Sequence, residues 1–210
     1  MSAEESIRAG GVTLAFDTNA IIGRSPRERR LVFGGFFTIC DIANRLRDEA
    51  PRPLEIHVVV PALARLEALY DLRIERGKAP FDEAFVKSAL EGKARVIEFN
   101  DDAAIRASGV LLRWFDCDEA WQRAKRERCL EALGLGKGHP ASGRGLASID
   151  WAIAAQAEAE GWILVTRDTR AEFQHVSHTI TKEALRELLD RLLEERGLSS
   201  DKVHGKTLKK

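Results

Sequence analysis

The stretch that decides the fold reads VTLAFDTN and covers residues 12–19. Its first five residues are apolar or β-branched and its last three form turns readily, which predicts a short buried strand that ends before Asp17. A second apolar run, over 162–165, is followed by Asp168. In open α/β sheets, ligands bind at the edge where the carboxyl ends of the parallel strands meet. Both aspartates are therefore expected at such an edge.

Two further carboxylates lie in helical patterns that are close to strands in the sequence. Glu67 follows Pro61, which comes directly after an apolar run over 56–60. Asp150 opens an alanine-rich helical pattern for which Ser148 is a candidate N-cap. Glu67 is on the flank of an apolar stripe, and its position leaves open whether it is buried with a partner or exposed at the stripe's edge.

Four carboxylates at one edge of a sheet would repel one another, so this pattern predicts a bound divalent cation. Mg²⁺ prefers oxygen ligands, takes one or two carboxylates directly and keeps several waters. In two-metal sites a second ion lies about 3.5–4 Å from the first, and the pair activates water and stabilises the departing oxygen. Such chemistry needs no histidine, cysteine or serine nucleophile.

The whole chain alternates between apolar runs and helical patterns, as βαβ units do, which predicts an α/β fold. Further strands are predicted over 56–60, 96–99 and 176–180, and helices over 61–76, 81–91, 101–112, 150–160 and from residue 181 onward. The helix after Pro61 is expected to bury one apolar stripe, made of Leu63, Leu66, Tyr70 and Ile74. A single domain is predicted over 1–196, followed by a polar tail over 197–210 that is expected to be disordered.

The composition describes a soluble globular protein, with 210 residues and 44% hydrophobic content. No apolar run approaches the roughly 20 residues of a membrane helix, and the N-terminus lacks a secretory pattern, so a cytoplasmic location without a membrane partner is expected. The 33 basic and 33 acidic residues balance, which neither supports nor excludes a nucleic-acid partner. Basic residues cluster over 24–30, 123–128 and 206–210, and solvated helix faces are the simpler interpretation of each cluster.

Cysteine and histidine do not indicate a site of their own. Cys40, Cys117 and Cys129 are an odd number at spacings that suit neither a zinc site nor a disulfide framework, so reduced thiols are expected. His175 and His178 have a spacing compatible with metal binding, but no other cysteine or histidine in the nearby sequence completes a site.

Four motifs in order resemble those of PIN-domain nucleases and are most similar to VapC-type ribonuclease toxins. They extend over about residues 12–180 and comprise Phe16-Asp17-Thr18-Asn19, Glu67, the run from Asp150 to Ala157, and Leu164 to Asp168 with Glu172 and Phe173 beyond. The resemblance implies a three-layer α/β/α sandwich with a mainly parallel central sheet. It also implies Mg²⁺- or Mn²⁺-dependent endoribonuclease activity and, usually, a homodimer.

The resemblance also assigns residues to roles. It makes four residues the catalytic and metal-binding set, namely Asp17, Glu67, Asp150 and Asp168. Asn19 and Thr166 match polar positions that support the carboxylates or a metal-bound water. Some relatives place the useful carboxylate a few residues later, so Glu172 is either a substitute for Asp168 or its companion.

The chain is longer than compact toxins of this kind, and the excess falls at 24–53 and 113–145. These insertions are where a specific RNA or a partner antitoxin would be recognised. The glycine-rich stretch 134–145 is either a connector or a flap that contacts phosphates. Candidate contacts to the RNA backbone are Lys137, Arg144 and Arg167. Trp114 and Trp121 are more simply core residues than base-stacking residues.

The sequence thus predicts a metal-dependent endoribonuclease that acts as the toxin of a type II toxin–antitoxin pair, with RNA as substrate and a cognate antitoxin as partner. A PIN nuclease that processes RNA or acts on DNA is an alternative, because the metal chemistry is the same. A catalytically silent PIN-like interaction module is another, although it would normally have lost an acidic residue. A haloacid dehalogenase-type phosphatase is disfavoured, because it requires a second aspartate where this chain has Asn19.

Overall fold

A computed structural model describes residues 1–22, 34–76, 93–132, 149–168 and 171–198. Some sequence predictions lie outside these residues. They are the helix over 81–91, the capping role of Ser148, the basic clusters over 24–30 and 206–210, the stretch 134–145 with Lys137 and Arg144, and the tail from residue 199 onward.

The described strands form one parallel sheet. They are β1 (Val12–Phe16), β2 (Ile56–Pro61), β3 (Arg95–Ile97), β4 (Ile163–Val165) and β5 (Thr179–Ile180). Their order is β3-β2-β1-β4-β5, and each neighbouring pair is parallel. The central strand β1 pairs Val12 with Ile56 of β2 and Phe16 with Val165 of β4. The predicted parallel α/β architecture is confirmed.

Helices cover both faces of this sheet. The described helices are α1 (Ala3–Ala9), α2 (Thr18–Ile22), α3 (Gly34–Asp48), α4 (Ala62–Arg76), α5 (Asp101–Trp114), α6 (Asp118–Ala132), α7 (Ile149–Ala159), α8 (Ala171–Gln174) and α9 (Lys182–Glu195). Consecutive residues of β1 and β4 are buried, and because their side chains alternate between faces, both faces must be covered. Helix α3 packs on α9, and α5 packs on α7. No helix among the described residues is both long and apolar enough to cross a membrane.

Several predicted element ends agree with the structure because a local signal marks them. Thr181 accepts a hydrogen bond from the Ala184 amide at its Oγ1 (3.2 Å), which is the geometry of an N-cap. Gly161 has a φ of +65° and follows the end of α7, where a left-handed residue is common. The edge strand β5 is shorter than the predicted 176–180 and comprises two residues.

The N-terminal helix α1 was not predicted, although the sequence contains a signal for it. The Glu5 amide donates to Ser2 Oγ (3.2 Å), and the Ser2 amide donates to the Glu5 carboxylate (2.6 Å). This reciprocal pair is a capping box, which the pattern Ser2-x-x-Glu5 encodes. The helix ends at Ala9 with Gly10 as its C-cap, and its residue Ile7 is fully buried in the core.

The predicted apolar stripe of α4 was wrong at Leu66 and Tyr70. Leu63 is partly buried and packs against the core, and the side chain of Ile74 lies outside the described part of the chain. Leu66 is 56% exposed and Tyr70 is 63% exposed, whereas Ala64 and Ala68 are buried. Helix α4 packs closely on α2 and α7, and small side chains allow this approach while the large ones stay outside. Because residues three and four apart share a helix face, Glu67 lies on the flank of the alanine side.

We predict that Gly10→Ala lowers the free energy of unfolding by about 2–3 kcal/mol, because Gly10 has a φ of +82° and a ψ of −177°, a region that is nearly exclusive to glycine. The added Cβ would also lie 2.9 Å from Leu54 Cδ1. Gly161→Ala is the control, since its φ is +65° and no described atom lies within 4 Å of a Cβ there. Urea denaturation should show a loss of about 1 kcal/mol for Gly161→Ala. Equal losses for the two variants would contradict the prediction.

Candidate metal centre

Three carboxylates from distant parts of the chain meet at the carboxyl edge of the sheet. Asp17 follows β1, Glu67 lies on α4, and Asp150 lies in the first turn of α7. One carboxylate oxygen from each lies within 4.8 Å of the other two. Asp17 is only 2% exposed, and the other two residues are half-buried. This group is called the acidic triad below.

Asp17 is held by hydrogen bonds to both of its oxygens. The Thr18 amide donates to Asp17 Oδ1 (2.7 Å). Asn19 Nδ2 (2.6 Å) and Thr166 Oγ1 (2.9 Å) donate to Oδ2. The Arg167 amide in turn donates to Asn19 Oδ1 (2.8 Å). Asn19 and Thr166, which the resemblance placed as supporting residues, thus orient the most buried carboxylate of the triad.

Glu67 has a partner at the site, which answers the question that its sequence position left open. Thr18 Oγ1 donates to Glu67 Oε2 (2.7 Å) and also contacts the Ala64 carbonyl oxygen (3.2 Å). Thr18 therefore links two members of the triad, because its amide binds Asp17 and its hydroxyl binds Glu67. The packing of α2 on α4 brings these residues together.

Two carboxylates of the triad have raised pKa values, and burial is the largest cause for both. Burial raises the pKa of Asp17 to about 7, against the hydrogen bonds from Thr166 and Thr18, and the charges of Glu67 and Asp168 add to the rise. Burial also raises the pKa of Asp150 to about 7, with further contributions from the charges of Asp17, Glu67 and Glu172. Carboxylates with raised pKa values in one cleft are typical of functional sites.

The residues of the triad fit a hard divalent cation. Every donor is a carboxylate oxygen, which is the ligand that Mg²⁺ and Mn²⁺ prefer. A cation between the three side chains would relieve the repulsion and the burial cost that raise the pKa values of Asp17 and Asp150. The described residues around the triad therefore support metal binding by their chemistry.

Arg128 is the site residue that the sequence analysis missed. A solvated helix face was expected for the cluster over 123–128, but Arg128 is only 8% exposed. Its Nε donates to Glu172 Oε1 (2.6 Å), and its Nη2 donates to Asp150 Oδ2 (3.1 Å). The expectation was wrong at this position because α6 turns Arg128 inward, where two carboxylates compensate its charge. No local pattern distinguishes Arg128 from Arg123 or Arg126 in the sequence.

The two candidates for a fourth carboxylate lie in different surroundings. Asp168 is close enough to Asp17 for its charge to raise the pKa of that residue, and its amide donates to Thr166 Oγ1 (3.0 Å). Glu172 is fully buried and is bound by Arg128. Neither belongs to the group of oxygens that lie within 4.8 Å of one another among the described residues.

The remaining substrate candidates are constrained by their contacts. Arg167, a candidate for binding RNA phosphates, forms an ion pair with Glu183. Trp114 and Trp121 both pack against Trp151, with ring centroids 6.3 and 5.5 Å away. The interpretation of both tryptophans as packing residues agrees with these contacts, and Trp151 is itself buried.

Comparisons with known proteins add little to this description. No protein-family model matches the sequence, and no curated protein matches it. Among solved structures, the chain is similar to one described as VapBC2 from Rickettsia felis bound to a DNA fragment from their promoter. The identity is 13%, the TM-score is 0.42, and the match covers 81% of this chain and 98% of that chain. The case for a function therefore rests on the site's own residues.

We predict that the metal-free protein loses stability through Asp17 as the pH rises from about 4 to about 7. The pKa of Asp17 is about 7 in the folded chain against an ordinary value of 3.8, so the folded state keeps a proton that the unfolded state releases. The stability that the bound proton contributes is complete below the pKa of the unfolded chain and is lost as the pH rises through the pKa of the folded chain. Urea denaturation in EDTA should show the stability of the wild type falling relative to Asp17→Asn across this range. A difference that does not change with pH would contradict the prediction.

Proposed function

We propose that the chain is a metal-dependent endoribonuclease of the PIN-domain type, which cleaves RNA with Mg²⁺ or Mn²⁺ bound by Asp17, Glu67 and Asp150. The observation that carries the proposal is the convergence of these three carboxylates, whose oxygens lie within 4.8 Å of one another at the carboxyl edge of a parallel sheet. The motif order in the sequence supports the same family. Asp168 is proposed as a fourth acidic residue, because its charge acts on Asp17.

The residues of the chain prepare the site for phosphodiester hydrolysis. A divalent ion supplies the positive charge that acidifies water and stabilises the charge that develops on the phosphate. Asn19, Thr166 and the Thr18 amide hold Asp17 in one orientation. Thr18 holds Glu67 beside it. Such preorganisation matters because a site that is already oriented needs little rearrangement when substrate binds.

The biological role that we propose is that of the toxin in a type II toxin–antitoxin pair, acting in the cytoplasm with a cognate antitoxin as partner and as a homodimer. The order of the four acidic motifs supports this role, since it is most similar to that of VapC-type toxins. Lys137, Arg144 and Arg167 are proposed contacts to the RNA backbone, and Arg167 would exchange its ion pair with Glu183 for a phosphate.

We predict that Asp17→Asn and Asp150→Asn each reduce Mg²⁺-dependent RNA cleavage at least about hundredfold, because each removes a charged metal ligand while keeping the shape of the side chain. Cleavage of a labelled RNA pool, with and without EDTA, measures the effect. Circular dichroism and thermal melting report whether the variants remain folded.

Asp102→Asn is the matched control for these variants, because Asp102 is an exposed aspartate in the first turn of α5 and lies outside the site. It should cleave RNA like the wild type. Full cleavage by Asp17→Asn or Asp150→Asn would overturn the assignment of the site. Cleavage of DNA in preference to RNA would replace the proposed substrate, and no cleavage in any divalent metal would indicate an interaction module.

A further inference from the structure

The guanidinium of Arg128 lies between two carboxylates of different segments. Glu172 comes from α8 and Asp150 from α7, and Arg128 donates to both, at 2.6 and 3.1 Å. Asp150 also belongs to the acidic triad. The carboxylate of Asp150 therefore lies between the guanidinium of Arg128 and the other two carboxylates of the triad, where a metal ion would bind.

Arg128 and Glu172 are both buried, so each needs the opposite charge of the other. Arg128 is 8% exposed and Glu172 has no exposed surface. Charges this deeply buried are stable only when they are paired and hydrogen-bonded. Among the described residues, no hydrogen-bond donor reaches Glu172 Oε2, so the bond from Arg128 to Oε1 is the charge-assisted contact seen for this carboxylate.

The position of Arg128 also bears on the number of metal ions. In a two-metal site the second ion lies about 3.5–4 Å from the first. Asp150 and Glu172 are one pair of carboxylates that could hold a second ion beside the triad, and the guanidinium of Arg128 contacts both of them. A guanidinium cannot be deprotonated in proteins, so its positive charge would remain and repel a second cation.

We propose that Arg128 is a positioning residue that acts as a built-in cation, which holds Asp150 and Glu172 and restricts the site to one divalent ion. This inference rests on the proposed metal-binding function of the triad. The proposal also gives α6 a role. This helix lies in the stretch 113–145, outside the acidic motifs, and its residue Arg128 supplies a positive charge to the site.

The experiment counts Mn²⁺ ions by isothermal titration and by electron paramagnetic resonance of the full chain. The wild type should bind one Mn²⁺ with the spectrum of an isolated ion. Arg128→Met removes the charge and the donors but keeps an unbranched stem. It should bind a second Mn²⁺ that is magnetically coupled to the first, and it should bind the first about tenfold more tightly, in line with the effect of one neighbouring charge on a carboxylate.

Two further variants separate charge from packing. Arg128→Lys keeps a positive charge and should retain a count of one. The double variant Arg128→Met with Glu172→Gln removes both charges together, which avoids an unpaired buried carboxylate, and it should also bind one ion. A merely structural role of Arg128 would leave the ion count unchanged in every variant.

The outcomes separate the role of Arg128 from the metal-binding function of the triad. Two ions in the wild type, or a single ion in a folded Arg128→Met variant, would overturn the role of Arg128 while leaving the triad as a metal site. If Arg128→Met does not fold, Arg128→Gln takes its place, because it removes the charge but keeps a hydrogen-bond donor for Glu172, and it should bind two ions. No Mn²⁺ bound by the wild type, together with no RNA cleavage, would instead overturn the proposed function itself.

Discussion

The parallel pairing of β1 with β4 is the constraint on which the candidate site depends. Phe16 lies opposite Val165 in this pairing, so the residues that follow each strand emerge side by side at the same edge of the sheet. Thr166 can then donate to Asp17, and the Arg167 amide can donate to Asn19. A shift of β4 by one residue would turn its side chains to the opposite face relative to those of β1, and this would break the network that orients Asp17.

The second principle of the site is charge compensation. Asp17, Glu67 and Asp150 converge where burial raises the pKa values of two of them to about 7. Hydrogen bonds stabilise the charge of Asp17, and the buried guanidinium of Arg128 partly compensates the charges of Asp150 and Glu172. The three neighbouring carboxylate oxygens form a set of ligand atoms that suits a divalent cation. The same features that cost folding free energy thus prepare the site to bind a metal.

Much of the fold was predictable from local patterns. The strands β1 and β4 are short apolar runs that stop at polar residues, and β2 is a mainly apolar run that ends at Pro61. The cap at Thr181 marks the start of α9, and the left-handed Gly161 follows the end of α7. The failures came where side-chain size or a distant contact decided the outcome. Leu66 and Tyr70 have helical spacing but lie outside, because Ala64 and Ala68 allow α4 to approach its neighbours. Helix α1 was not predicted, although Ser2 and Glu5 have the spacing of a capping box.

In the candidate site, too, local sequence determined some features and distant contacts determined others. Local sequence was enough to predict where Asp17 and Asp150 lie on their elements, since strand ends and helix starts depend on near neighbours. The partner of Glu67 and the inward turn of Arg128 depended on tertiary packing, because their contacts join residues 49, 44 and 22 positions apart. Short-range patterns indicate whether a segment forms a helix or a strand. The burial of a side chain and the charges around it depend on other segments, which come close only in the folded chain. For that reason Arg128 looks like a surface residue in the sequence and is a buried member of the site in the structure.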